Sequence, residues 1–313
     1  MKNIRLGLCG SFYQYPIKFY HKTASSIKNK KRDEQLQEIS AIALYNTEKI
    51  LDTLKYCLKN EIFAYRVLSQ IFPLFTHPEV GYELNDLPDY EAILGLFEEI
   101  RNFRRENGIR LSLHPDQFNV LTSPKTEVIM KTVEELEYQG KLAELLDAEA
   151  INIHVGGVYG DKQEAMKRFL KNFNLLSQKV KSRMTLENDD VSYSPSEVVE
   201  LCKNLKIPFV YDVHHHRCLK DNWDIQKATQ ECLMSWETLN REPWFHISSP
   251  KGGWNGANKR IHADFVDFGD FPECWKDLEA TVDVEARTKE LAVMKLKKDL
   301  KQICQGEVSI NYL

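Results

Sequence analysis

Seven cysteines in 313 residues, at positions 9, 57, 202, 218, 232, 274 and 304, are odd in number, widely scattered and form no C-x-x-C pair. That spacing argues against a disulfide framework and against a thiolate zinc site. Long apolar runs are also missing. No stretch approaches the roughly 20 residues of a membrane-spanning helix, and Met1-Lys2-Asn3-Ile4-Arg5 leads straight into a strand without an apolar leader. The expected compartment is the cytoplasm. Gly and Pro are sparse, at 14 and 11, which excludes a low-complexity or fibrous chain. There is no surplus of positive charge, since 42 Lys and Arg stand against 46 Asp and Glu, for a net −4. Indiscriminate nucleic-acid binding, which draws on clustered cations, is thereby disfavoured.

What the chain does contain is a regular alternation of short apolar runs and long amphipathic stretches. Strands are expected at Ile4–Cys9, Ile62–Ser69, Ile109–His114, Ala150–His154, Met184–Glu187, Pro208–Asp212, Trp244–Ile247 and Thr281–Glu285. The helices between them are expected at Asp33–Asn60, Tyr90–Asn107, Lys125–Asp147, Asp161–Lys181, Pro195–Leu205, Asp224–Asn240, a short one at Pro272–Ala280, and a closing one at Lys289–Gln302. Gly108 suits the left-handed position after a helix end. Eight strands in strict alternation with helices predict an α/β fold, a (β/α)8 TIM barrel, as one domain over residues 1–313. No internal repeat or linker suggests a second domain.

Six of these runs end on a group able to bind metal: His114, His154, Glu187, Asp212, His246 and Glu285. In a (β/α)8 barrel the carboxyl ends of all strands meet at one mouth, so the six predict a metal cluster there. Histidine with carboxylate and no cysteine suits Zn²⁺, Mn²⁺ or Fe²⁺. Glu187 is the natural bridging carboxylate, and Asp212 and His215 can serve two different ions. Closely spaced ions support in-line phosphodiester hydrolysis; a sugar isomerase or epimerase is the alternative. Two basic loops, 18–32 with Lys18, Lys22, Lys28, Lys30, Lys31 and Arg32, and 251–260 with Lys251, Lys259 and Arg260, would flank that mouth. A neutral sugar needs no such rim, so DNA is the expected partner.

The chain resembles the UV damage endonucleases. The resemblance is carried by Ile4-Arg5-Leu6-Gly7, Tyr65-Arg66-Val67 through Phe75-Thr76-His77-Pro78, Leu113-His114-Pro115-Asp116-Gln117-Phe118, Ile153-His154-Val155-Gly156-Gly157, Leu186-Glu187-Asn188-Asp189, Asp212-Val213-His214-His215, His246-Ile247-Ser248-Ser249, His262, and Val284-Glu285-Ala286-Arg287-Thr288-Lys289-Glu290. It implies a xylose-isomerase-like and apurinic-endonuclease-like barrel with two or three divalent ions, Mn²⁺ foremost and Zn²⁺ second. It further implies His114, His154 and Glu187 for one ion, Glu187, Asp212, His246 and Glu285 for another, and His215 with His262 for a third. His77 falls at a family histidine near the scissile phosphate, and Lys289 at a family lysine that contacts phosphate. The implied activity is a nick 5′ to photoproducts, cyclobutane dimers and 6-4 products, in double-stranded DNA, by a monomer. Gln117 and Phe118, with Tyr13 and Tyr15, are the expected lesion contacts, and Lys30, Lys31, Arg32 and Lys251 the expected backbone contacts. Four family features differ: Asp116 stands for a glycine, Phe118 for a tyrosine, Leu8 for an aromatic after the first glycine of strand one, and Trp244 for a lysine. His214 and His216 read as neighbours of the ligands.

Overall fold

A barrel strand has two jobs along its length, one face packing outward on helices and the other turning toward the axis, so its residues alternate in role. In the computed structural model, which describes residues 4–310 and side chains through 302, the first strand is β1 (Ile4–Cys9), followed by α1 (Ala24–Ile27) and α2 (Arg32–Lys59). Next come β2 (Ala64–Val67), α3 (Tyr90–Glu106), β3 (Arg110–Leu113), α4 (Thr126–Leu146) and β4 (Ala150–His154). Then follow α5 (Lys162–Phe173), α6 (Gln178–Lys181), β5 (Met184–Glu187), α7 (Pro195–Leu205), β6 (Phe209–Asp212), α8 (Val213–Cys218) and α9 (Ile225–Glu237). The chain closes with β7 (Trp244–Ile247), β8 (Ala280–Val284) and α10 (Glu290–Ile310). Every strand pairs in parallel with the next, and β8 pairs with β1 to shut the barrel. Met1-Lys2-Asn3 and the Cys304 side chain lie outside the described residues. None of the six described cysteines is bridged. Among the described residues no helix is long and apolar enough to cross a membrane.

Local chemistry sets the boundaries. Gly108 has a φ of 61° and ends α3, as its position predicts. Ser194 and Glu197 form a reciprocal cap around Pro195 at the start of α7. Two helices differ from expectation. The run 161–181 is broken, because the Asn174 amide turns back to the Leu170 carbonyl and Glu137 captures the Ser177 N–H at 2.7 Å. The helix expected at Pro272–Ala280 is only a 3-10 turn at Glu273–Trp275. There the Trp275 indole donates to Thr229 Oγ1 at 2.8 Å, tying the turn to α9.

The barrel interior is polar in layers. At the amino end, the Arg110 guanidinium lies over the Trp244 ring at 4.3 Å and donates to Thr281 Oγ1 at 2.7 Å. Trp244 is thus a buried platform for a cation of the barrel floor. One layer up, Asn152, Thr185 and Asp283 face inward, and Gly7 sits opposite Asp283 in register. A Cβ on Gly7 would stand 1.9 Å from Asp283 Oδ1. Gly7→Ala should therefore destabilise the protein by about 1–3 kcal/mol, the usual cost of overpacking; a denaturant midpoint equal to the parent's would refute this.

Candidate metal centre

The next residues on the inward faces form the mouth. His154, Glu187 and Asp212 end β4, β5 and β6, His246 is the third residue of β7, and His114 and Glu285 follow β3 and β8 at once. One ligand atom from each of His114, His154 and Glu187 lies within 4.8 Å of the others, and Glu187, Asp212, His246 and Glu285 form a second such group. Glu187, fully buried, belongs to both. His215 and His262 stand beside them with ring centroids 6.2 Å apart. His262 is returned to the mouth by an antiparallel bridge between Pro250 and His262, and its Nδ1 lies 3.9 Å from Glu285 Oε2.

The donor set fits divalent cations. His246 Nδ1 is 3.1 Å from Glu187 Oε1 and 3.2 Å from Glu285 Oε1, yet neither His246 Nδ1 nor Glu187 Oε1 has a hydrogen-bond partner. Asp212 Oδ2 is equally unpartnered. Buried polar atoms are seldom left so, and imidazole and carboxylate atoms that converge in this way suit a metal ion. Outer contacts aim the ligands. His114 Nδ1 faces the Pro115 carbonyl at 3.1 Å and His215 Nδ1 the Asn188 carbonyl at 3.0 Å. A carbonyl can only accept, so each ring donates from Nδ1 and leaves Nε2 as the ligand atom. Asn152 donates to Glu187 Oε2 at 2.5 Å and is itself held by Thr185 at 2.8 Å.

Charge follows the same design. Burial raises the Glu187 carboxyl, but His246, His154, His114 and His215 outweigh it and hold it well below the usual range. Burial lowers His246, while Glu187 and Glu285 bring it up to about 10. Burial raises Glu285 as well, and Arg66, donating to Oε1 at 2.6 Å, leads the groups that hold it low. The site is a dense array of carboxylates and imidazoles in which Glu187 and Glu285 are held ionised.

A cavity of about 530 Å³ opens over this array, lined by His114, His154, His215, Glu285, Gln117 and Lys289 among others. A second hollow of about 630 Å³ shares His21, Gln70 and Asp116 with it and holds His77 and Phe118. His77 is thus on the adjoining floor, where its Nδ1 accepts the Glu79 N–H at 3.1 Å. Phe118 is 78% exposed. Asp116 Oδ1 accepts the Phe118 N–H at 3.0 Å, an Asx turn that props up the loop tip. Leu8 is fully buried and cannot reach a ligand. Tyr13 and Tyr15 are exposed on the loop after β1. The basic rim is thinner than its sequence suggests. Lys30 is paired with Glu38, which also takes Lys22 at 2.6 Å, and Arg32 donates to the Val80 and Gly81 carbonyls. Lys31 and Lys251 are exposed. His216 is committed on both ring nitrogens, to Tyr211 and Asp221, and His214 packs on Trp254 and His262.

Asn152 and Asp283 escaped the reading of the sequence, and Arg66 entered it only as part of a matched segment. A signal was present: Asn152 and Asp283 each stand two residues before a ligand on the same strand, so a period of two puts them on the inward face. Asp283 is fully buried with neither oxygen hydrogen-bonded, 3.6 Å from His246 Nε2.

Comparison with known proteins agrees with this geometry. The UV DNA damage endonuclease of Bacillus mycoides (strain KBAB4) is 34% identical over 290 residues, covering 90% of this chain and 89% of its own length. The crystal structure of SacUVDE superposes with a TM-score of 0.83 at 26% identity, over 96% of this chain and 99% of that one. Endonuclease IV from Thermus thermophilus shares the fold, with a TM-score of 0.58 at 14% identity over 96% of this chain and 99% of its own. The sequence profile described as UV-endonuclease UvdE matches residues 12–311, and with it the chain belongs to the UV-endonuclease UvdE family.

Proposed function

We propose that this chain nicks double-stranded DNA on the 5′ side of ultraviolet photoproducts, cyclobutane dimers and 6-4 products, by metal-dependent hydrolysis, acting as a monomer with residues 1–313 as one domain. Its class follows from the family: it is a UV DNA damage endonuclease. The observation that carries the mechanism is the convergence of Glu187 with two ligand groups, its buried oxygen unpartnered beside His246. His114, His154 and Glu187 would hold one ion, Glu187, Asp212, His246 and Glu285 another, and His215 with His262 a third. Mn²⁺ is the expected metal, with Zn²⁺ second. When bound, such ions lower the pKa of water and stabilise the attacking and leaving oxygens of an in-line phosphoryl displacement. The chain's own groups position the substrate. Lys289, at the cavity wall with a left-handed φ of 47°, supplies a cation for a substrate phosphate, and His77 serves the scissile one. Lys31 and Lys251 are free to meet the DNA backbone. The family match favours this reading over a sugar isomerase.

The deciding experiment is an end-labelled duplex carrying one thymine dimer. One cut 5′ to the dimer, leaving a 3′ hydroxyl and absent from the undamaged duplex, is expected; no cut with any divalent ion would end the proposal.

Lesion sensing is assigned to Gln117 and Phe118. Unstacking bases costs a few kcal/mol and less at a damaged step, so a wedge gains selectivity without reading sequence. A base stacked on an aromatic ring contributes roughly 1–3 kcal/mol. The double variant Gln117→Ala, Phe118→Ala should keep its metals and fold while losing about tenfold or more in affinity for dimer DNA, at about 1.4 kcal/mol per decade. Binding to undamaged duplex should change little. Parent-like affinity for the dimer duplex would move sensing elsewhere.

A further inference from the structure

A buried carboxylate outside both ligand groups organises the loop after β1. Glu290, the first residue of α10, is only 1% exposed. It accepts three successive backbone N–H groups: Tyr13 at 2.7 Å on Oε2, and Gln14 at 2.7 Å and Tyr15 at 3.1 Å on Oε1. Consecutive amides converging on one anion make a nest, here filled by a side chain 277 residues along the chain. A buried charge satisfied in this way is costly to remove, since its partners are left unpaired.

The aromatic residues of the loop then divide. Tyr15 packs on Tyr56 of α2 at 4.3 Å and on Phe12 at 5.4 Å, and Phe12 meets Tyr56 at 4.9 Å. Those rings brace the loop from behind. Tyr13 is 58% exposed, and among the described residues its ring is in none of the aromatic pairs. Two residues before it, Ser11 lines the cavity over the metal centre, as does Lys289, the neighbour of Glu290. An exposed ring on an immobilised backbone forfeits little entropy on binding.

We infer that Glu290 is a positioning residue that fixes the Tyr13 ring at the barrel mouth as a second stacking surface for damaged DNA, beside the loop of Gln117 and Phe118. This rests on the nuclease reading above, keeps Tyr13 as the lesion contact of this loop, and adds the group that holds it in place.

The test uses the metal-loaded full chain with the dimer duplex. Tyr13→Ala should raise KM about tenfold with the loss falling in KM rather than in kcat, and Glu290→Ala should do the same. The double variant should be no worse than either single, because Glu290 acts through Tyr13. Glu290→Gln, which keeps one acceptor oxygen, should recover part of the loss. Hydrogen exchange supplies a readout independent of catalysis: the amides of residues 13–15 should be protected in the parent and exposed in Glu290→Ala, with the strands unchanged. Should Glu290→Ala fail to fold, Tyr13→Ala and Glu290→Gln carry the test. Parent-like KM in Tyr13→Ala, a hundredfold loss in the double variant, or protected amides without Glu290 would each overturn the inference. A parent that cannot nick dimer DNA would overturn the nuclease reading itself, and this with it.

Discussion

Removing divalent metal should abolish nicking of dimer-containing DNA, and Mn²⁺ added back should restore it. Among the described residues both ligand groups are histidine and carboxylate, with no cysteine in either, so hard or borderline divalent ions are the ones they can hold. Without a cation, unpartnered lone pairs of Glu187, Asp212 and His246 face one another in a buried space. The charge stabilisation that ions supply at a phosphoryl centre amounts to several kcal/mol, so the rate should fall at least about a thousandfold, at 1.36 kcal/mol per decade. The barrel should survive, because its apolar shell of strand and helix side chains is independent of the mouth. The check is a single-turnover nicking assay after dialysis against chelator, with metal content measured on the same sample, followed by separate additions of Mn²⁺ and Zn²⁺. Full turnover in excess chelator would sink the idea.

Glu187→Gln should produce a loss of comparable size, about a thousandfold, through a single atom. The amide keeps the shape of the side chain and can still pack against Asn152, so the fold is preserved. The negative charge that faces His246, His154, His114 and His215 disappears, and with it the group common to both ligand clusters. Metal content should drop together with cleavage, which separates this outcome from a purely chemical defect. Circular dichroism would verify the fold and elemental analysis the loading. An active, fully loaded Glu187→Gln protein would show that the bridging role belongs to another residue.

The readable parts of this chain were those in which a local pattern and the barrel agree. β1, β4, β5 and β7 begin and end where expected because each is a short apolar run closed by a polar ligand or a turn. The helix α8 escaped notice because Asp212-Val213-His214-His215-His216 reads as a strand losing its apolar alternation, whereas the Asp212 side chain caps a new helix at once. The break between α5 and α6 depends on Glu137 from another helix, a partner that no window around 174–177 contains. The same limit explains the cationic rim. Lys30 and Arg32 look free in a run of like charges, but Glu38 and the carbonyls of Val80 and Gly81 take them in three dimensions. At the centre itself the six ligands that end strands could be named because strand ends share a mouth. Their buried neighbours Asn152 and Asp283 are visible only through the inward period of two.

Asp212 divides its carboxylate between two tasks. One oxygen accepts the His215 N–H at 2.7 Å and starts α8, while the other lies unpartnered among the ligands. The turn that orients His215 is therefore nucleated by a residue of the neighbouring cluster, so the two positions share one structural fate. Filling the Asp212 side of the mouth would stiffen the helix that delivers His215, and emptying it would let that turn fray. On the proposed ligand assignment, occupancy at the Asp212 position would be felt at His215 through backbone order, and loading of the mouth would be cooperative.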